Sequence, residues 1–377
     1  MTVPILNAVD FGGPAGTPVI LLGPSLGTST ATLWGGAARV LKRQARVIGW
    51  DLPGHGRSEP AGPFTLAELA AGVLLLADQY GAETFHYAGN SVGGAVGIQL
   101  LLDAAQRVRS ATLLCTGAAI GTPNLWRDRA ATVRGHGIYP MLDAAARRWF
   151  APGFTDREPG RSASLLDSLR HTDPESYALT CDALADFDVE HRLPEITQPV
   201  LAVAGSDDVA TPPESLQRIA SGVKGGAFVV LDGVAHLAPA EAPDRVAALI
   251  ADRAGLTQPG DKYQAGMIVR REVLGDAHVD RAIATATELT ADFQRMITEY
   301  AWGTIWTRPG LDRRSRSMIT LTALIAHGHH EELAMHVNAA RRNGLTDDEI
   351  KELIMQTAIY CGVPAANTAF RIASDVR

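Results

Sequence analysis

Cysteine is scarce: Cys115, Cys181 and Cys361 are the three in 377 residues, far apart and with no CxxC pair. That excludes a disulfide framework and points to a reducing compartment with no structural metal. Surplus positive charge is missing too, since 34 Lys and Arg against 41 Asp and Glu leave a net charge of −7. A broad nucleic-acid footprint is therefore not expected. No apolar run approaches the length of about 18 residues that reads as a membrane span. The opening MTVPILNAVDFGG has no basic stretch followed by an apolar core, as a secretory signal would. What remains is an ordinary globular composition, 46% hydrophobic and 20% charged, in a chain long enough for two cores. The expectation is a cytoplasmic protein.

The first 250 or so residues alternate short apolar runs with helical stretches. PVILLGPS, RVIGWDLPG, TFHYAGNS, RSATLLCTG, PVLAVAGSDD and GAFVVLDG each read as buried strands ending in Gly, Pro or Asp. Strands separated by helices imply a parallel sheet covered on both faces. From about 121 to 192 only amphipathic helical pieces occur, which reads as a lid above the sheet. A Gly/Pro-bearing stretch without periodicity places a linker at about 254–263, and the remainder is almost wholly helical. HVDRAIATATELTADFQRMITEYAWGTIW, RSRSMITLTALIAHG, EELAMHVNAARRNG and TDDEIKELIMQTAIYCG all carry a 3.6-residue apolar period. Thr346 and Glu349 form a capping box for the last of these. The fold class is α/β plus all-α, with units at 1–254 and 264–377.

Gly89-Asn90-Ser91-Val92-Gly93 lies between a strand and a helix, the context in which G-x-S-x-G exposes a serine nucleophile. Serine needs a base and the base needs an orienting carboxylate. His236, in DGVAH after a later strand, and Asp208, in GSDD, complete the chain order Ser…Asp…His. Asp207 is the adjacent alternative, and the G-x-x-D spacing favours Asp208. Backbone N–H groups of Val92 and Leu26, in GPSLG, are the candidate oxyanion donors. Asp51-Leu52-Pro53-Gly54-His55-Gly56-Arg57-Ser58 reads as a structural turn with His55 bonded locally.

On these motifs residues 1–254 resemble an α/β-hydrolase. Ser25-Leu26-Gly27-Thr28 and Gly205-Ser206-Asp207-Asp208…Thr211-Pro212-Pro213 are similar to the 3-oxoadipate enol-lactonase branch. The resemblance implies a small lactone substrate bearing a carboxylate, and hence a cation in the lid. Arg129 and Arg134 in LWRDRAATVRGHG are the candidates, while Trp126 and Trp149 read as lid core.

The helical segment resembles the carboxymuconolactone decarboxylase family. The matching stretches are Arg271-Glu272-Val273-Leu274-Gly275-Asp276, Trp302-Gly303-Thr304-Ile305-Trp306-Thr307-Arg308-Pro309-Gly310-Leu311, Glu332-Leu333…His336-Val337…Ala340…Gly344 and Tyr360-Cys361-Gly362-Val363-Pro364-Ala365-Ala366-Asn367. Peroxide-reducing members of the wider superfamily use a CxxC pair, and this chain has only Cys361 there. The resemblance implies decarboxylation with no cofactor, because an unsaturated lactone accepts the electrons that CO2 leaves behind. His336 is the expected general acid, with Glu332 four residues earlier to orient and charge it. Arg313, Arg314 and Arg316 are candidates for the substrate carboxylates, as are Arg270 or Arg271 reaching in from a neighbouring subunit. No metal is expected at His327-Gly328-His329-His330, whose spacing to His336 does not fit H-E-x-x-H. Trp302 and Trp306 read as core or subunit contact. The two resemblances together imply an oligomeric, bifunctional enzyme of protocatechuate catabolism acting on small lactone carboxylates. A general esterase with a non-catalytic helical assembly domain is the alternative.

Overall fold

The computed structural model describes residues 3–256, 262–308 and 310–376. It divides into two compact units, Met1–Thr257 and Gln258–Arg377. Half of the linker expected at 254–263, including Pro259 and Gly260, lies outside the described residues, as does Pro309.

The first unit is built on a seven-stranded sheet in the order β1-β3-β2-β4-β5-β6-β7. Its strands are β1 (Ala8–Gly12), β2 (Val19–Gly23), β3 (Arg46–Trp50), β4 (Phe85–Asn90), β5 (Val108–Leu114), β6 (Val200–Gly205) and β7 (Ala227–Leu231). All neighbours are parallel except β1, which pairs antiparallel with β3 through a bulge between Asp10 and Gly12. Two strand expectations need correction. β1 was not expected, because a half-exposed edge strand lacks the continuous apolar run that marks a buried one. β7 was expected to be buried, yet it closes the opposite edge and is mostly half-buried, with Val230 exposed.

The central strands are fully buried, as a sheet covered on both faces requires. Winding reverses between β2 and β4, so the loops after their C-terminal ends diverge and leave a crevice. Over it, between β5 and β6, lie five helices: Pro123–His136, Tyr139–Trp149, Phe154–Arg157, Pro159–Arg170 and Pro174–Ala185.

The second unit is helical throughout its regular elements. The single long run expected from His278 to Trp306 is broken into three pieces. Asp276–Ala284 ends before a new cap at Thr287, Glu288–Ile297 follows, and Thr298–Ile305 is a π-helix. The side chain of Thr287 captures Thr290 and restarts the chain, a local bond that apolar periodicity cannot reveal. The helix Lys262–Leu274 begins inside the stretch expected as linker. Arg313–His327, His330–Arg342, Asp347–Cys361 and Val363–Asp375 pack around Leu321, Leu333, Val337 and Ile354. The Thr346–Glu349 capping box is present. None of the described helices is long and apolar enough to cross a membrane.

Candidate active site

Ser91 stands between β4 and the helix Val92–Asp103 with φ 55° and ψ −119°, a backbone conformation that costs a side-chain-bearing residue about 1–3 kcal/mol. The flanking glycines make the turn sterically possible. A Cβ on Gly89 would lie 2.2 Å from the carbonyl oxygen of Gly93, and one on Gly93 would lie 2.5 Å from that of Pro24. The turn is pinned by Ser91 N–H to Leu114 O (2.9 Å), Gly93 N–H to Pro24 O (2.9 Å) and Thr116 Oγ1 donating to Ser91 O (2.6 Å). Strain is thus held by bonds from the C-terminal ends of the two neighbouring strands, β2 and β5.

Oγ of Ser91 is 3.0 Å from His236 Nε2, and His236 Nδ1 is 2.9 Å from Asp208 Oδ2. Asp208 also accepts from Thr211 N–H and Thr211 Oγ1, and from Ala210 N–H. Burial pushes its carboxyl up, but the charge and hydrogen bond of His236 and the hydrogen bonds of Thr211 outweigh this and leave it at about 2. Asp208 is therefore an anion that fixes the His236 tautomer with Nε2 facing Ser91. Its neighbour Asp207 has its backbone N–H on Val234 O and its carboxylate beside Ser206 Oγ, clear of the imidazole.

The amides of Leu26 and Val92 donate no hydrogen bond among the described residues, Val92 because it opens its helix. The Leu26 turn is locked by Thr28, whose Oγ1 accepts from Ser25 N–H and donates to Ser25 O. His55 Nδ1 meets Pro53 O at 2.8 Å and burial lowers its pKa to about 4. The Asp51–Ser58 turn is thus tied by local bonds.

Ser91 and His236 open on a cavity of about 280 Å³ lined also by Trp126, Arg129, Arg148 and Trp149. The guanidinium of Arg129 lies over the Trp126 ring, 4.7 Å from its centre. Arg134, expected to grip substrate, does not line the cavity. It is taken by Glu175 and by Asp182 (2.7–2.8 Å), acids that lie 41 and 48 residues away in sequence. Arg148 was missed, though it has no hydrogen-bond or ion-pair partner among the described residues and lies half-buried in the wall. Burial and then the charge of Arg129 lower its pKa, so a bound anion would stabilise it. Trp126 and Trp149 are buried, as expected of lid core, and also face the cavity.

Glu241 was also missed. It accepts from Ala235 N–H, next to His236, and from Ala151 N–H at the end of a lid helix, both at 2.9 Å. Burial raises its pKa to about 7 despite those two bonds.

The second unit gathers its expected residues less tightly. His336 is half-buried on His330–Arg342, and burial, with the charge of His278, lowers its pKa to about 4. Glu332, on the same helix, is exposed and makes no hydrogen bond to it. Its opposing pull is the weakest of the three influences, so the expectation that Glu332 charges His336 is not met in this chain alone. Arg313 pairs with Glu272, and Arg316 donates to Leu311 O (3.2 Å) and Arg308 O (2.8 Å). Arg314 holds Glu349 and Gly344 O, while Arg271 holds Asp276 and Asp280. Trp302 and Trp306 contact each other with ring centres 5.0 Å apart. No group of metal-ligating side chains occurs among the described residues.

Comparison with known proteins follows the same division. Residues 9–249 match the Alpha/beta hydrolase family model and residues 291–375 that of the Carboxymuconolactone decarboxylase family. Over 239 residues the chain is 33% identical to 3-oxoadipate enol-lactonase 2 of Acinetobacter baylyi, covering 63% of this chain and 88% of that one. Over 115 residues it is 45% identical to 4-carboxymuconolactone decarboxylase of the same organism, covering 30% and 86%. The crystal structure of the enol-lactonase from Burkholderia xenovorans LB400 superposes with a TM-score of 0.64 at 32% identity, covering 66% of this chain and 96% of that one. The chain therefore belongs to the α/β-hydrolase family in its first unit and to the carboxymuconolactone decarboxylase family in its second.

Proposed function

We propose that this chain performs two successive reactions: decarboxylation of 4-carboxymuconolactone to 3-oxoadipate enol-lactone, then hydrolysis of that lactone to 3-oxoadipate. The observation that carries this reading is the union in one chain of two families whose relatives act, by name, on adjacent compounds. The product of the helical unit is the substrate of the hydrolase unit. Tethering raises the local concentration of the intermediate.

In the hydrolase unit Ser91 Oγ attacks the lactone carbonyl while His236 Nε2 takes its proton. The tetrahedral oxyanion faces the free N–H groups of Leu26 and Val92. Collapse breaks the ring C–O bond, and the departing enolate takes a proton and becomes the ketone. Water, deprotonated by His236, then frees Ser91. Arg129 and Arg148 hold the carboxylate that the substrate carries through both steps.

In the helical unit the C–CO2 bond breaks, its electrons move through the ring double bond to the lactone carbonyl, and a proton enters at the α carbon. His336 delivers that proton. Being neutral in the free protein, it is charged by the dianionic substrate, whose approach favours the imidazolium. Self-association through the helical unit is part of this reading. Leu289, Phe293, Met296 and Tyr300 stand exposed along one stretch, and Glu288–Ile297 buries no residue at all. The enzyme works in the cytoplasm, consistent with its three unpaired cysteines.

The test is product analysis by NMR in D2O after giving 4-carboxymuconolactone to wild type, Ser91→Ala and His336→Ala. Ser91→Ala should accumulate enol-lactone, and His336→Ala should leave the substrate untouched. If folded Ser91→Ala leaves 4-carboxymuconolactone intact, the helical unit is an assembly domain and the bifunctional reading fails.

A further inference from the structure

A second cavity, of about 200 Å³, lies wholly within the helical unit between the helices Lys262–Leu274, Asp276–Ala284 and Glu288–Ile297. Its wall is mostly apolar, with Met267, Ala282, Ile283, Ala286 and Ala291, and it contains the guanidinium-bearing side chain of Arg270. Arg270 is only 5% exposed. Arginine is seldom buried this far without an acid, yet no carboxylate pairs with Arg270 among the described residues. Its bonds go to neutral oxygens, Nη1 to Thr298 Oγ1 at 3.0 Å and Nη2 to Gln294 Oε1 at 2.8 Å, and its Nε has no partner among the described residues. The other arginine of the wall, Arg295, is answered by Glu299 at 2.9 Å and lies over the Tyr263 ring.

The placement of Arg270 is built into the backbone. One turn before it, a Cβ on Gly266 would fall 2.0 Å from Thr298 O, and one on Gly303 would fall 1.9 Å from Lys262 O. Two glycines thus press the Lys262–Leu274 helix against the π-helix Thr298–Ile305, which puts Thr298 beside the guanidinium. Thr298 is itself oriented, its Oγ1 donating to Gln294 O at 2.7 Å. Two neutral acceptors orient the cation without neutralising it, and burial without an acid carries an electrostatic cost that a bound anion relieves.

We propose that the Arg270 cavity is the substrate-anchoring site of the decarboxylase unit, taking a small carboxylate with an apolar body. This rests on the decarboxylase reading for the identity of the substrate, but not for the existence of the anion site. Arg270 holds the carboxylate that the substrate keeps. An ion pair on the carboxylate that departs would stabilise the ground state and oppose its loss, whereas apolar walls favour release of neutral CO2. Burial, then the charge of Arg270, lowers the pKa of His278, and burial, then the charge of His278, lowers that of His336. Arg270 anchors and His336 transfers the proton.

The test uses the full chain with Ser91 capped by a serine-directed phosphonate, so that the first cavity is filled. Binding of the ring-saturated analogue of 4-carboxymuconolactone, which lacks the double bond needed to accept electrons, is measured by calorimetry. Decarboxylation of the substrate itself is followed alongside. Arg270→Gln should raise both Kd and KM about 10- to 100-fold, with a much smaller change in kcat, and Arg270→Lys should recover part of the loss. Gln294→Met, at a half-exposed position that keeps the cation, should weaken binding a few-fold and serves if Arg270→Gln fails to fold. Unchanged Kd and KM in folded Arg270→Gln or Gln294→Met would overturn the anchoring site and leave the decarboxylase reading standing. Arg270-dependent binding by a wild-type chain that releases no CO2 would sink the decarboxylase reading and keep the carboxylate site. A wild-type chain that does not bind the analogue overturns the proposal.

Discussion

The two units prepare their chemistry differently. In the hydrolase unit every group of the Ser91–His236–Asp208 line has its partner, and the strain at Ser91 is held by bonds to Leu114, Pro24 and Thr116. In the helical unit His336 is neutral, Glu332 is exposed, and the expected arginines other than Arg270 are spent on ion pairs or backbone carbonyls. Of the twenty large apolar side chains exposed among the described residues, twelve belong to the helical unit, which is under a third of the chain. A seven-stranded sheet can fix a site from its own strand ends, because the loops it anchors converge on one crevice. A few short helices bury less surface and leave more apolar side chains exposed. The contrast is between a site whose groups are all partnered in place and one whose expected residues the fold does not bring together.

The largest expected effect tests the independence of the first site. Asp208→Asn keeps the shape of the triad but offers His236 an amide, which favours the wrong tautomer. Enol-lactone hydrolysis should fall about 10⁴-fold, while decarboxylation by the same preparation should be unchanged. Loss of both rates in a folded variant would mean that the units do not work separately.

Breaking assembly should sharpen the contrast from the other side. Phe293→Glu places a charge in the middle of the exposed stretch Leu289–Phe293–Met296–Tyr300. Burying that charge in an interface should lower the mass measured by light scattering to that of one chain and reduce decarboxylation about 100-fold. Hydrolysis should not change. A variant that stays assembled, or a dissociated one with full decarboxylase activity, would show that this face completes nothing.

Arg148→Met removes a cation of the first cavity that has no ion-pair partner among the described residues. It should raise the KM for enol-lactone about 10- to 100-fold and leave the KM for a neutral aryl ester nearly unchanged, because only the lactone brings a carboxylate. Equal effects on both substrates would assign Arg148 to packing.

How much of this could be read in advance depended on how local the determinants are. The serine turn is specified by five consecutive residues, and the order Ser91, Asp208, His236 by the strand ends that carry them. Arg134 looked as available as Arg129 because its partners Glu175 and Asp182 come from a helix far along the chain. Arg148 was legible in principle: Met141, Ala144, Ala145 and Arg148 follow a 3–4 spacing and all line the cavity, whereas the adjacent Arg147 is exposed. Arg270 is the harder case, since it stands beside Arg271, and only the close approach at Gly266 and Gly303 separates a buried cation from one paired with Asp276 and Asp280. The break at Thr287 and the π-helix after it arise from local side-chain bonds and helix contacts, which a 3.6-residue period does not encode.

The smallest effect concerns how the first unit holds its histidine. Glu241 ties Ala235 to Ala151, joining the His236 loop to the lid, and its carboxyl sits at about 7 instead of the usual 4.5. Because the folded pKa is raised, the fold takes up a proton between these values. The contribution of Glu241 is most favourable below about 4.5 and is lost as the pH rises through 7. His55 and His86, both lowered to about 4, act in the opposite sense, since the unfolded chain binds their protons first as the pH falls below 6.5. The difference between Glu241→Gln and wild type isolates the carboxyl from these histidines. Glutamine offers one oxygen for two N–H donors, so the variant should be less stable than wild type by about 1 kcal/mol at pH 5. By pH 8 that gap should close or reverse, since only the wild type must then bury a charge. Thermal unfolding of the hydrolase unit at the two pH values measures this. A gap that widens with pH would mean the carboxylate is stabilised as an anion by its two amides, and the loop would then be held most firmly when Glu241 is charged.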